Sequence, residues 1–235
     1  MDRTERALAY LRRDPLLYVN LMEVVRRGSA DILWAEEGGV LLHDRGSGSH
    51  MFSARTQEAA SRIFHLLPPD ADLLTGHELW YFDELEGRTG FHGHKILYSC
   101  RWTQKQPPSP PNLGGELRLL GPEWAERLNG YYDCWAGVDY IRQAAGRGLY
   151  GAFLGGELAG FGGFHDEGAM GMLEVLPDFR RRGVGEALET ALIRHALDRG
   201  QYAFAQVETD NRASLALQEK LGLERSEGAM FWMFP

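Results

Sequence analysis

The sequence predicts a mixed α/β protein in two parts, and three observations carry that expectation. Gln104-Lys-Gln-Pro-Pro-Ser-Pro-Pro-Asn-Leu-Gly-Gly115 can enter neither a helix nor a central strand, so it reads as an extended linker. Beyond it, two apolar runs joined by Gly155-Gly-Glu157 read as an antiparallel hairpin. A strand, a long amphipathic helix and another strand then follow between Met170 and Val207. This order favours a central mixed sheet flanked by helices over a doubly wound parallel one. The expected parts are residues 1–103, a linker at 104–115, and residues 116–235.

In the first part, Glu5 to Arg12 has helical periodicity, and Pro15 restarts a helix running to about Arg27 with Leu16, Val19, Leu21 and Met22 as apolar positions. Ile32–Glu36 and Val40–His43 form a hairpin around Glu37-Gly-Gly39. Ser47-Gly-Ser-His-Met51 reads as a loop entering a short strand. Thr56 to Leu67 is helical, with Ala59, Ala60, Ile63, Phe64 and Leu67 on one side. Leu73-Leu74 and Ile96–Trp102 read as strands. In the second part, Trp124–Tyr131 and Tyr140–Ala145 are expected helices, and Leu149–Leu154, Leu158–His165 and Met170–Val175 are strands. Gly183 to Arg199 packs Val184, Leu188, Ala191, Leu192 and Ala196 inward. Tyr202–Val207 is a strand, Asn211–Leu221 is a helix ended by Gly222, and Phe231–Phe234 closes the chain as a strand.

A chain of 235 residues with 44% hydrophobic residues can build one large domain or two small ones. It has no run of 18 apolar residues, so no membrane span is expected, and no secretory pattern opens it. A cytoplasmic location is the default expectation. The formal charge of -8 argues against nucleic-acid binding and mildly favours a cationic or amine substrate. Cys100 and Cys134 sit beside aromatic residues and read as buried thiols rather than a disulfide framework or a zinc site. His92 and His94 would share a face of a strand, but no third ligand is evident, so no metal is expected.

The densest chemistry lies in Val175-Leu-Pro-Asp-Phe-Arg-Arg-Arg-Gly-Val-Gly185. The first N–H groups of a helix have no internal partner, and the helix dipole favours an anion there. Gly183 and Gly185 remove Cβ atoms from the approach, and Arg180, Arg181 and Arg182 add guanidinium donors suited to phosphate. A solvated turn is the bland alternative. The segment matches neither Gly-x-x-x-x-Gly-Lys-Ser/Thr nor Gly-x-Gly-x-x-Gly, which disfavours ATP hydrolysis and a Rossmann cofactor.

With Arg180-Arg-Arg-Gly-Val-Gly185 after Val175-Leu-Pro177, and Asn211-Arg-Ala-Ser-Leu-Ala-Leu-Gln-Glu-Lys-Leu-Gly-Leu223 downstream, the second part resembles the GCN5-related N-acetyltransferase (GNAT) superfamily. The whole chain more loosely resembles the two-domain branch that includes glycine N-acyltransferase-like proteins. That resemblance implies tandem GNAT-like domains, the first a degenerate copy.

The resemblance also implies acetyl-CoA as cofactor, held in a V-shaped opening between two splayed parallel strands, and transfer of the acetyl group to an amine. Leu173 and Val175 would pair with the pantetheine arm. Arg180, Arg181, Arg182, Gly183, Val184, Gly185 and Glu186 would surround the pyrophosphate. Asn211 and Ser214 would lie near the lower arm of the cofactor. An amine protonated at neutral pH needs a base. Glu174, a carboxylate inside an apolar strand, is one candidate, its rival being a solvent-facing Glu. His165 is the other, in the polar cluster His165-Asp-Glu167, which equally suits a turn. Many members place a tyrosine acid where this chain has Gln218, which can donate a hydrogen bond but is no general acid. Trp124, Tyr131, Tyr132, Trp135 and Tyr140 either enclose the acceptor or pack the core. The implied partner is a small-molecule amine or amino acid. A peptide N-terminus, a longer acyl donor and a CoA-binding protein without catalysis are the alternatives, and a homodimer is an admitted assembly.

Overall fold

The computed structural model describes residues 2–132 and 137–235, so Cys134 and Trp135 lie outside the described residues. The chain divides into two compact units. The first comprises Met1–Arg101, Gln206–Leu215 and Glu224–Pro235, and the second Trp102–Ala205 and Ala216–Leu223.

The first unit opens with α1 (Arg3–Leu11), started by a capping box in which Asp2 and Glu5 satisfy each other's backbone N–H groups. The helix expected to restart at Pro15 begins four residues later, as α2 (Val19–Arg26). Asp14 holds the intervening turn, its carboxylate accepting from the Leu17 N–H at 3.0 Å and its carbonyl from the Tyr18 N–H at 3.0 Å. Three antiparallel strands follow: β1 (Ala30–Glu36), β2 (Gly39–Asp44) and β3 (His50–Ala54). Thr56 caps α3 (Gln57–Leu66), which crosses over to β4 (Leu74–Gly76), parallel to β3. A short turn and α4 (Phe82–Thr89) then lead to β5 (Gly93–Arg101). Helix α4 has no apolar period to announce it. It buries Leu85, carries Gly87 in its interior, and gains an exposed Glu84–Arg88 pair at 2.9 Å.

The second unit begins with edge strand β6 (Glu116–Leu119), which the sequence did not announce because Leu119 points outward. Helices α5 (Ala125–Asn129) and α6 (Gly137–Gly148) precede β7 (Tyr150–Leu154), β8 (Glu157–Phe164) and β9 (Met170–Val175). Strands β6 to β9 are antiparallel in order. Helix α7 (Val184–Asp198) then leads to β10 (Phe204–Glu208), which pairs with β9 in parallel through Ala205 and Met170. After α8 (Arg212–Leu221), the two-residue strand β11 (Glu224–Arg225) and β12 (Met230–Phe234) end the chain. Each unit thus holds a mixed, mostly antiparallel sheet flanked by helices.

The contacts divide the chain differently from the expected 1–103 and 116–235. Strand β12 runs antiparallel to both β4 and β5, so the C-terminal segment belongs to the first unit. Its Phe231 is fully buried against the rings of Phe52, Tyr81 and Phe82, with the Phe82 centroid 5.0 Å away. Gly76 makes room for it, because a Cβ there would collide with the Phe231 ring.

A buried polar network lies beside this core. Glu78 accepts from the Tyr18 and Ser53 hydroxyls at 2.6 Å each, from the Tyr81 hydroxyl at 2.9 Å and from the Ala54 N–H at 3.1 Å. Fully buried His77 donates from Nδ1 to the Phe52 carbonyl at 2.9 Å. Its Nε2 then accepts, and the Asn20 amide orientation that presents Nδ2 to it satisfies both groups. Burial lowers the pKa of His77 from 6.5 to about 4.

Two stability predictions follow from this packing. Phe231→Ala should cost about 3–5 kcal/mol in urea unfolding, whereas exposed Leu119→Ala should stay within about 0.5 kcal/mol. For His77, the unfolded chain binds the extra proton more readily, so its contribution is present above pH 6.5 and lost as pH falls toward about 4. The slope is about 1.4 kcal/mol per pH unit across that window. Glu78, whose carboxyl is raised by burial, acts in the opposite sense. The difference in urea-derived stability between wild type and His77→Gln, followed from pH 7 to 4, isolates the histidine. A constant difference would contradict its buried, neutral state.

Candidate cofactor and catalytic site

Strand β9 leaves its ladder with β8 in the middle. Phe161 pairs with Glu174 and Gly163 with Gly171, so Met172 and Leu173 together oppose Gly162. Two residues opposing one is a β-bulge, which bends a strand and frees backbone groups from the ladder. Met172 takes the strained left-handed conformation, with φ 51°. Its side chain is buried in a core with Leu158, Phe161 and Leu176, and that packing holds the strain in place. Leu173 and Val175 are half-buried on the outgoing end of the strand.

From β9 the chain turns through Pro177–Phe179 into α7. Arg181 has φ 60° and Gly183 has φ 80°, so the reversal uses two left-handed residues close together. Gly183 occupies the N-cap position and supplies no side-chain cap to the first turn of α7. The donors of Val184, Gly185 and Glu186 therefore open the helix in the way an anion site requires. A Cβ on Gly183 would meet nothing within 4 Å, so its backbone conformation, not crowding inside the chain, is what demands glycine. Gly185 has closer neighbours: a Cβ there would reach ordinary contact distance, 3.5 Å, from the side chains of both Val175 and Leu217. It is the floor between the strand end and α8.

The three arginines divide. Arg180 turns back, donating from Nε to the Val175 carbonyl at 3.0 Å and pairing with Glu174 at 3.3 Å. One backbone group expected for pantetheine and one expected base are thereby engaged with an arginine expected for phosphate. Arg181 and Arg182 are exposed, and Arg182 lies over the Phe179 ring at 5.5 Å. Glu186 is bound by Lys220 at 2.5 Å, joining α7 to α8. Asn211 and Ser214 belong to the first unit, where Asn211 Oδ1 accepts from the Ser214 N–H at 3.1 Å and starts α8.

His165 follows β8, and its ring lies against Gly171, where an added Cβ would collide with Nε2. Its Nδ1 is 2.6 Å from the Tyr140 hydroxyl. Burial first, then the charges of Glu167 and Asp166, raise the Tyr140 pKa far above the usual phenol value and keep the hydroxyl neutral. Arg147 ties this corner together through Asp166 at 2.6 Å and the Phe164 carbonyl at 2.9 Å. The sequence did not reveal the Tyr140–His165 pair, since 25 residues separate its members.

The other expected acceptor aromatics mostly pack. Trp124 meets Phe153 edge-on at 5.6 Å, Tyr132 meets Phe161 at 6.2 Å, and Tyr131 is exposed. A surface groove of about 340 Å³ runs along another side of α7 past Leu117, Tyr150 and His195, but none of the expected site residues lines it. Cys100 is buried. Among the described residues, no group of three or more metal-ligating side chains comes together, and His94 instead approaches Glu86 at 3.8 Å. No helix among them is long and apolar enough to cross a membrane.

Residues 115–223 match the acetyltransferase (GNAT) family. No curated protein matches the sequence. Among solved structures, a Drosophila melanogaster protein superposes with a TM-score of 0.71 at 17% identity, covering 100% of this chain and 97% of its own. A GCN5-related N-acetyltransferase from Kribbella flavida gives a TM-score of 0.55 at 14% identity, covering 94% and 95%. A GCN5-related N-acetyltransferase-like protein from Streptococcus suis gives 0.52 at 16% identity, covering 97% and 100%. At these identities the likeness is one of fold.

The turn into α7 makes its own prediction. Gly183→Val should lower stability by about 1–2 kcal/mol through its left-handed backbone alone, and Gly183→Asn should recover most of that loss. Thermal unfolding of the two variants would check this, and equal losses would contradict it.

Proposed function

We propose that this chain, a member of the GNAT superfamily by its segment 115–223, is an acetyl-CoA-dependent N-acetyltransferase acting on a small amine or amino acid. The observation that carries this is the opening of α7. A glycine N-cap without a side-chain cap, two exposed arginines and the small Gly185 floor suit a pyrophosphate. The acidic chain, at net charge -8, reserves this basic turn for an anion and favours a cationic acceptor elsewhere.

Bound there, acetyl-CoA would supply an activated thioester. The chain's own residues do the rest. The N–H groups of Val184, Gly185 and Glu186, with Arg181 and Arg182, hold phosphate oxygens. Leu173 and Val175 offer strand backbone to the pantetheine arm, with Arg180 releasing the Val175 carbonyl as the cofactor enters. The bulge at Met172 supplies backbone directed out of the ladder, the kind of donor that stabilises a developing oxyanion. His165 takes the proton from the attacking amine. The Tyr140 hydroxyl holds its ring at Nδ1, and the ring lies against Gly171 of β9 beside the bulge. Glu174, held by Arg180, serves this turn more directly than it serves as a base.

The first unit fits a degenerate copy of the second. Its order of α1, α2, three antiparallel strands, α3 and parallel β4 repeats α5, α6, β7 to β9, α7 and β10. Its corresponding groups are satisfied internally. Glu78 takes the Ala54 N–H, Trp80 donates to the Ala54 carbonyl at 3.2 Å, and Thr56 caps α3. One cofactor site per chain follows, in keeping with a two-domain glycine N-acyltransferase-like arrangement.

Calorimetric titration with acetyl-CoA should give one site per chain, and Arg181→Ala with Arg182→Ala should weaken it about tenfold or more at low salt. No binding by folded protein would overturn the proposal. In an amine screen, His165→Gln should cut turnover about 100-fold while leaving acetyl-CoA affinity unchanged. A normal rate would remove His165 as base.

A further inference from the structure

Glu189 of α7 and Gln218 of α8 are both buried, at 2% and 4% exposure. The Gln218 side chain acts on the Glu189 carboxyl across the two helices, and Glu189 Oε1 and Gln218 Oε1 have no hydrogen-bond partner. Two unpaired oxygens in one dry contact are costly. An ionised carboxylate held by a single amide donor costs more still. Among the described residues, no cation pairs with it. On α8, Lys220 is bound to Glu186; at the end of β9, Arg180 is bound to Glu174. On β7, Tyr150 meets His195 of α7 at 3.0 Å, and Glu157 of β8 is exposed. Burial raises the Glu189 carboxyl to about 7, opposed only by the Gln218 hydrogen bond.

A single proton resolves the contact. On Glu189 Oε1 it donates to Gln218 Oε1, while the Gln218 amide N–H donates to the other carboxyl oxygen. Both orphaned oxygens are then satisfied in one closed acid–amide pair. The position gives the pair a task. Residues 185 and 189 are one helical turn apart on the same face of α7. Gly185 faces Leu217, the neighbour of Gln218 on α8, and Val175 at the end of β9. We propose that Glu189 and Gln218 form a proton-holding clasp that fixes α8 against α7 and thereby positions the Gly185 floor of the cofactor cradle. Glu189 is thus a positioning residue. Losing its proton leaves a buried anion with one donor and loosens the floor. The effect on the cradle rests on the acetyl-CoA proposal above, whereas the clasp itself does not.

Infrared titration of the full chain from pH 5 to 9 tests the clasp without any ligand. A protonated-carboxyl band should vanish with a midpoint near 7 in wild type and be absent in Glu189→Gln, which keeps both hydrogen bonds as a neutral amide–amide pair. Identical titrations in the two proteins would overturn the clasp. Should Glu189→Gln fail to fold, Gln218→Leu replaces it, and the midpoint should move away from the wild-type value; an unmoved midpoint would overturn the pairing. Calorimetry with acetyl-CoA at pH 6 and pH 8.5 tests the positioning. Wild-type affinity should fall about tenfold relative to Glu189→Gln, which also controls for titration of the ligand's own phosphate near pH 6. Equal pH dependence in both would overturn the positioning role. No binding at either pH would count against the acetyl-CoA proposal, and the infrared result would still decide the clasp.

Discussion

Backbone N–H groups at a helix start have to be satisfied from outside the helix, and in the second unit α7 starts on a glycine that supplies no side-chain cap. The bulge at Met172 bends β9. Arg181 and Gly183 reverse the chain in left-handed conformations, and α7 then starts on a glycine. Each step exchanges local backbone strain or an absent cap for open donors pointing one way. The cost is borne by packing behind it: Met172, Val184 and Leu188 are buried and hold the reversal rigid.

The first unit shows the same topology with that demand met. Thr56 caps α3, Glu78 and Trp80 occupy both backbone groups of Ala54, and Phe231 fills the space beside Gly76. Here the polar network ties strands and turn together around Glu78. Four donors converge on one carboxylate, and removing any of them would leave a buried group without compensation. The contrast explains why two similar arrangements of strands and helices can carry unequal chemistry. What differs is which backbone groups the side chains already satisfy.

Much of this was legible in the sequence where local patterns decide structure. Strand β9 was predicted with the bounds observed, and α7 to within a residue at each end, because apolar periodicity and the Arg/Gly turn act over short distances. What escaped depended on distant partners. Helix α4 has too few apolar residues to be visible alone. The partners of β12, which give the C-terminal segment to the first unit, are set by burial of Phe231 in a core assembled from residues far earlier in the chain. Arg180 was grouped with its neighbours by type, but geometry turns it back on Glu174 and Val175.

Glu189 is the instructive case between these. It lies on the apolar stripe that Gly185, Leu188, Leu192 and Ile193 trace along α7, so the sequence displays a carboxyl where the helix pattern calls for a hydrophobe. Pattern alone cannot say whether such a residue rotates to solvent or stays inside. Its partner can: only a second polar group arriving from another helix makes burial bearable, and Gln218 arrives from α8. Gln218 itself, seen in isolation, marks a missing phenol. Seen with Glu189, it is half of a pair whose two unpaired oxygens differ from satisfaction by one proton. A local rule broken in the interior therefore points to a titrating group, and one helical turn connects that group to the floor on which the proposed cofactor rests.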